Sequence, residues 1–145
     1  MWTSTDQHGM ENWFFKYLYW LLTSDVGKTE AQTVNNRGTW YTIQISSILL
    51  FLDMLSMAKR VADARFYKLV SHIQSDGRQP FELVRTRSFD YSVFNLKDLF
   101  RLANMGQKIG VNLWNYKNAQ GAGLNTALDY LMSHRDNWPY DQVTA

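Results

Sequence analysis

Two short polar segments of the 145-residue chain carry side chains that bind anions. The first, residues 35–41, supplies Asn35, Asn36, Arg37 and Tyr41 directly before an apolar segment. If that segment is a helix, its first backbone N–H groups and its dipole attract negative charge, so the pattern predicts an anion site. The spacing alone favours a plainer alternative, in which Asn35 and Asn36 form a turn and N-cap and Tyr41 belongs to the core.

The second segment, residues 82–91, contains Arg85, Arg87 and Tyr91 in a stretch without clear periodicity. Two guanidinium groups there can hold carboxylates in bidentate fashion. Tyr91 can exchange a proton with a bound ligand if a neighbouring arginine stabilises its phenolate. The alternative is a solvated loop in which Glu82 or Asp90 pairs with the arginines, and the local sequence does not separate the two.

Composition excludes several other kinds of site. The chain has no cysteine, and its three histidines, His8, His72 and His134, are far apart, so neither thiol chemistry nor a metal site is predicted. The net charge is +2 without a block of like charges, which gives no support to a nucleic-acid partner. No apolar run reaches the roughly 20 residues that a membrane span requires. Phosphate loops, nucleophile elbows and acidic calcium loops are also missing, so no cofactor is predicted.

Hydrophobic periodicity indicates the helices that must position these segments. Apolar residues recur at helical spacing between 10 and 21, between 54 and 73, between 96 and 109, and between 124 and 132. The Ile-rich segment Trp40–Leu52 has strand propensity, but its length favours a buried helix. Asn95 is predicted to be the N-cap of the helix that contains the apolar residues between 96 and 109.

The connections are predicted to be irregular. We expect a polar connection over 28–36, loops over 78–91 and 111–123, and a poorly ordered polar tail over 134–145. Trp114, in the second loop, has the type of side chain that stacks on a sugar, although loop aromatics more often close a core edge. The prediction is a single all-α domain, residues 1–145, built of helical hairpins.

Taken in order, these segments resemble the alginate-lyase domain family of polysaccharide lyases. The resemblance covers about residues 10–133, and its matching stretches are residues 35–44, 76–83, 85–96, 110–114 and 127–131. It implies part of an (α/α) toroid, at about half the length of a full one. It also implies an extracellular protein whose partner is an acidic polysaccharide. The expected reaction is β-elimination on a polyuronide such as alginate, without a cofactor or metal.

The resemblance also implies roles for individual residues. Asn36 matches the carboxylate-binding asparagine, Arg85 a substrate-binding arginine, and Tyr91 a tyrosine near the cleft. Tyr91 is therefore the expected catalytic phenol. Arg37 stands where the family usually has histidine. Arginine neutralises a carboxylate but cannot act as a general base.

Further substrate contacts are expected from Asn35, Arg87, Tyr41 and Trp114. Whether the chain is an active enzyme stays open, and the alternative is an inactive descendant that binds carbohydrate or acts as an effector. A half-length toroid would also expose apolar helix faces, which predicts a homo-oligomer.

Overall fold

The computed structural model describes residues 1–143, which form seven helices and no strand. The fold class is all-α, as the periodicity predicts. The helices are α1 (Ser4–Thr23), α2 (Asp25–Gln32), α3 (Asn36–Phe51), α4 (Leu55–Val70), α5 (Pro80–Leu83), α6 (Ser88–Gln107) and α7 (Leu124–His134). None of the helices formed by residues 1–143 combines the length and the hydropathy needed to span a bilayer.

Helix α3 is the central element because it contributes to both hydrophobic clusters of the core. Ile43 packs in the first cluster, with residues of α4, α6 and α7. Ile45, Ile48 and Leu49 belong to the second, with residues of α1 and α4. A helix that is covered on several sides carries apolar residues all round, which explains the strand-like composition of this segment.

Two segments predicted to be irregular contain short helices. The connection 28–36 is largely α2, whose N-cap Ser24 accepts a hydrogen bond at Oγ from the Gly27 N–H at 3.0 Å. The loop 78–91 contains α5, which begins at Pro80, a residue suited to the first turn of a helix. It also contains the start of α6 at Ser88.

The prediction that Asn95 is an N-cap is wrong, because Asn95 lies inside α6. Its Oδ1 accepts a hydrogen bond from Thr39 Oγ1 at 2.7 Å, and its Nδ2 donates to Gln79 Oε1 at 2.8 Å. The side chain therefore joins α6 to α3 and to the segment before α5. An asparagine is suited to position 95 because its side chain bonds to residues of other segments, and not because it caps free N–H groups at the start of a helix.

The segment that follows α7, for which the sequence predicts poor order, makes defined contacts as far as residue 143. Trp138 Nε1 donates to Ser88 Oγ at 2.7 Å, and the Ser88 N–H donates to the Asp141 carbonyl at 3.1 Å. Trp138 also packs edge-on against Phe89, with the ring centroids 5.1 Å apart. Residues 144 and 145 of the predicted tail lie outside the described residues.

Apolar side chains remain exposed on two surfaces. Trp13 and Trp20 of α1 are about half exposed, and a groove between α6 and α7 is lined mainly by Phe89, Val93, Phe100, Leu128 and Met132. These are the exposed apolar faces that the sequence leads us to expect. A homo-oligomer that covers them stays a prediction.

Asn118 holds the loop between α6 and α7 against the end of α4. Its Nδ2 donates to the carbonyls of Val70 and Ile73, at 3.2 and 2.8 Å. Its Oδ1 accepts from the N–H groups of Gln120 and Ala122, at 2.9 and 3.1 Å. One buried amide therefore satisfies four backbone groups.

Replacing this amide tests its contribution to stability. We expect Asn118→Ala to lower the free energy of unfolding by about 2–4 kcal/mol, because it leaves buried backbone groups without partners. The matched control Asn115→Ala, an exposed residue of the same loop, should change it by less than about 0.5 kcal/mol. Urea denaturation measures both, and equal effects would contradict the assignment.

Candidate functional site

A buried carboxylate fixes the first residue of α3. Glu82 of α5 is almost inaccessible to solvent. Its Oε1 accepts a hydrogen bond from the Asn36 backbone N–H at 2.6 Å, and its Oε2 accepts from Asn36 Nδ2 at 2.7 Å. Burial raises the pKa of Glu82, while the bonds from Asn36 and the charge of Arg85 act in the opposite direction. The side-chain amide of Asn36 is thus held in one orientation.

Sequence reasoning missed this role of Glu82, which it considered only as a partner of the arginines. The two residues are 46 positions apart, so no local spacing indicates the pair. The one available signal is that Glu82 lies in a stretch, residues 76–83, that matches the family.

The N-terminus of α3 is already supplied with acceptors from the protein itself. Glu82 takes the N–H of Asn36, and the N-cap residue Asn35 takes the N–H of Arg37 at 3.1 Å through its Oδ1. Asn35 therefore has the capping role that the plainer alternative assigns to it. A ligand anion would meet side chains here rather than free backbone N–H groups.

The guanidinium of Arg37 is half-exposed and paired with Glu30 of α2. Its Nε lies 3.1 Å from Glu30 Oε2, and its Nη2 contacts Glu30 Oε1. The hydrogen bond to Glu30 and then its negative charge raise the pKa of Arg37, so the arginine stays protonated. A carboxylate ligand at Arg37 must compete with Glu30.

Asn36, Arg37 and Glu30 line a cleft of about 280 Å³ between α1, α2 and α3, which we call the first cleft. Tyr17 and Trp20 of α1 form a stacked pair on its wall, with ring centroids 6.0 Å apart. The Tyr17 hydroxyl donates to Gln44 Oε1 at 3.2 Å. The cleft therefore combines a cation and two amides with aromatic faces, which is a composition suited to an acidic sugar.

Tyr41 borders this cleft but is part of the core. Its hydroxyl donates to the Leu21 carbonyl at 3.1 Å, and the guanidinium of Arg65 lies 5.2 Å from its ring centroid. Burial raises the pKa of Tyr41. The structure supports the core alternative for Tyr41 rather than a substrate contact.

A second cleft, of about 440 Å³, lies on the first turns of α6 and is lined by Arg87, Asp90, Tyr91 and Phe94. Arg87 Nη2 and Asp90 Oδ2 form an ion pair at 2.7 Å, as the solvated-loop alternative expects for one of the two arginines. The guanidinium of Arg85 instead lies over the ring of Tyr91, 3.9 Å from its centroid. Arg85 and Tyr91 are thus brought together as a cation–π pair.

The two clefts adjoin through an aromatic contact. Trp40 lines the first cleft, Phe94 lines the second, and their ring centroids are 5.7 Å apart. Glu82 holds Asn36 of the first cleft, and Arg85, three residues later in the chain, covers Tyr91 of the second. The two polar segments of the sequence therefore lie side by side where Trp40 meets Phe94.

Trp114 lies outside both clefts. It packs against Phe100, with ring centroids 5.3 Å apart, at the edge of the first core cluster. This is the core-edge alternative for a loop aromatic, and Trp114 does not join the other predicted site residues. Within residues 1–143, no group of three histidine or acidic side chains is placed to hold a metal ion.

Asp98 of α6 is a buried acid that contacts the first cleft indirectly, through Arg101 and Trp40. Its side chain is inaccessible to solvent, Oδ1 accepts from Arg101 Nη1 at 3.0 Å, and Oδ2 has no hydrogen-bond partner. Arg101 in turn lies over Trp40, 5.1 Å from the ring centroid. Burial raises the pKa of Asp98 to about 6, against the opposing charges of Arg101 and Lys97. Asp98 thus orients a cation that covers the wall of the first cleft.

Comparisons with known proteins agree on one family. Residues 1–138 match the sequence model of the family described as alginate lyase. The chain is also similar to the crystal structure of an alginate lyase from Bacteroides ovatus, with a TM-score of 0.88 and 27% sequence identity. The match covers 98% of this chain and 39% of the Bacteroides ovatus chain, so this chain spans well under half of that lyase. A search of curated protein sequences gave no match.

The buried charge of Asp98 predicts a pH dependence of stability. Its folded-state pKa of about 6 exceeds the usual value of 3.8, so the folded state binds the proton more tightly. Stability from this group is fully present below about pH 4 and is lost, by about 3 kcal/mol, as the pH rises through about 6. The Asp98→Asn variant should not show this loss, and its free energy of unfolding at pH 7, measured in urea, should exceed that of wild type.

The exposed acid Asp129 on α7 provides the matched control. Asp129→Asn makes the same substitution at an exposed position and should change the free energy of unfolding at pH 7 by less than about 0.5 kcal/mol. If Asp98→Asn and wild type change in parallel between pH 4 and 7, the account of Asp98 is wrong.

Proposed function

Because the chain belongs to the alginate lyase family, we propose that it acts on an acidic polysaccharide by β-elimination, at the surface where the two clefts meet. One observation carries the proposal: Glu82 holds the amide of Asn36, and Arg85, three residues later, covers Tyr91. A single short segment thereby positions the carboxylate-binding group and the phenol. By family resemblance, the protein would work outside the cell.

The first requirement of this chemistry is to neutralise the uronate carboxylate. The proton on C5 becomes removable only when the negative charge that develops on the carboxylate is stabilised. Arg37 supplies a full positive charge for this, and the fixed Asn36 amide supplies a polar side chain beside it. Tyr17, Trp20 and Trp40 supply aromatic surface for the sugar ring.

The second requirement is a base. Arg37 cannot accept the proton, so the proposal assigns this role to the phenolic oxygen of Tyr91. As the C5–H bond breaks, its electron pair forms the C4–C5 double bond, and the C4–O bond to the leaving sugar breaks. Tyr91 then returns a proton to the leaving oxygen. Tyr91 enters this step as the phenolate, with the positive charge of the Arg85 guanidinium above its ring. It is neutral while it holds the C5 proton, and the phenolate is regenerated when that proton passes to the leaving oxygen.

A second candidate function is binding of an acidic saccharide without cleavage. The observation that favours it is Arg37 in the first cleft, because arginine binds a carboxylate but cannot accept a proton from C5. Arginine at this position also removes the imidazole that the family usually has there. The same surface would then recognise the sugar but leave its bonds intact.

An absorbance assay separates the two functions. Elimination conjugates the new C4–C5 double bond to the carboxylate, so ultraviolet absorbance rises during incubation with polymannuronate, polyguluronate, glucuronan or hyaluronan. We expect Tyr91→Phe to reduce the rate at least about 100-fold, because it removes the acid and base. Tyr19→Phe, an exposed tyrosine of α1, is the matched control and should retain the wild-type rate.

No absorbance change from wild type or from Arg37→His on any of these polymers would reject elimination. Binding of the same polymers by the inactive protein would then support the second function.

Release of Arg37 from Glu30 gives a further prediction. We expect Glu30→Gln to bind an oligouronate about two- to fivefold more tightly, because an exposed ion pair of this kind is weak and the ligand carboxylate no longer has to displace it. Titration calorimetry measures the affinity. The matched control Glu11→Gln, on α1 and outside the cleft, should bind as wild type does. Weaker binding by Glu30→Gln would show that Glu30 orients Arg37 rather than competing for it.

A further inference from the structure

A third cleft, between the C-terminal ends of α2 and α4, is lined by basic side chains that the proposed reaction does not use. It has a volume of about 270 Å³. Arg65, Lys68 and His72 of α4 and the following turn line it at a spacing of three and four residues, which places them on one helix face. Ala31–Val34, at the end of α2, form the opposite wall.

These basic side chains have no acidic partner within residues 1–143. None of the three takes part in a salt bridge there, and no aspartate or glutamate lines the cleft. Arg65 is held by neutral acceptors: Nε donates to Thr42 Oγ1 at 2.7 Å and Nη2 to the Ala31 carbonyl at 3.0 Å. Its Nη1 donates to no protein group in the described part of the chain. A fixed, partly buried guanidinium is thus left with free donor capacity.

Helix dipoles offset only part of this charge. The C-terminal end of a helix carries about half a negative charge, so α2 and α4 together supply about one. Arg65 and Lys68 carry two positive charges, and His72 adds more when it is protonated. Burial and the neighbouring Lys68 lower the pKa of His72, so it is mainly a neutral group at pH 7. The cleft keeps a net positive charge of about one.

The rest of the lining combines the polar residues Gln32 and Thr33 with aliphatic side chains, which fits a sugar better than a bare ion. Ala64, Leu69 and Val34 provide aliphatic surface beside the cations. His72 packs edge-on against Phe81, with ring centroids 4.9 Å apart, which fixes that end of the cleft. A ligand with one carboxylate and a compact C–H-rich ring would satisfy both kinds of surface.

We propose that this third cleft binds a uronic acid residue of an acidic polysaccharide, with its carboxylate on Arg65 and Lys68, at a site separate from the first and second clefts. The inference rests on the proposed function for the identity of its ligand as an acidic sugar. It adds a second point of attachment for the polymer, which would raise the affinity for chains long enough to reach both.

Binding of sodium glucuronate, followed in two-dimensional ¹H–¹⁵N spectra of the ¹⁵N-labelled protein, tests the site directly. We expect saturable shifts of the Thr33, Val34 and Leu69 amides and of the Arg65 Nε–H signal. Lys68→Gln should weaken this binding about five- to tenfold, because it removes one charged donor from the cleft, and the exposed position of Lys68 tolerates the substitution in the folded chain. Lys59→Gln makes the same charge change on α4 outside the cleft and should bind within twofold of wild type.

Glucose and inorganic phosphate complete the experiment. If glucose binds as tightly as glucuronate, the carboxylate of the ligand does not contribute to binding, and the proposal is wrong. If phosphate binds more tightly than glucuronate, the cleft is a phosphate site rather than a sugar site. Shifts confined to Arg37 and Trp40 support the first cleft and overturn the third, as does the absence of any saturable shift. Shifts at the third cleft support this inference even if the absorbance assay rejects elimination.

Discussion

The candidate site depends on the buried carboxylate of Glu82. A carboxylate removed from water is costly unless its oxygens are hydrogen-bonded, and each bond to a charged group contributes about 1.5–3 kcal/mol. Asn36 supplies both donors, one from its backbone and one from its side chain. Because the buried Glu82 carboxylate requires these two hydrogen bonds, it fixes Asn36 as the first residue of α3. Since α3 packs in both core clusters, the same contact sets the position of α5 relative to the rest of the core.

Polar side chains extend this link along α6. Asn95 accepts from Thr39 of α3 and donates to Gln79, and Gln79 Nε2 donates to the Ser92 carbonyl at 2.9 Å. Networks of buried hydrogen bonds hold one arrangement because a shifted register would leave several groups without partners. The first turns of α3 and α6, which carry the site residues, are therefore joined by polar contacts as well as by the packing of Trp40 on Phe94.

Periodicity predicts the long helices, but it predicts neither the short helices α2 and α5 nor these contacts. The spacing of apolar residues predicts α1, α4 and α7, and length alone separates the helix α3 from a strand. The start of α6 was misplaced because Asn95 has the residue type of an N-cap, and its actual partners are 16 and 56 positions away. Asn36, Arg85 and Tyr91 were identified by resemblance, whereas their partners follow from the tertiary fold. Local sequence does not specify which of several acids an arginine will meet.

Three arginines show how the surroundings decide what one residue type can do. Arg37 is held by an acid, Arg85 lies on an aromatic ring, and Arg65 donates to neutral oxygens. An anion must displace a carboxylate at Arg37 but displaces none at Arg65. Helix α2 takes part in both cases, because Glu30 holds Arg37 and the carbonyl of the next residue, Ala31, holds Arg65. An eight-residue helix thus forms a wall of two clefts, so any movement of α2 changes the contacts of both arginines together.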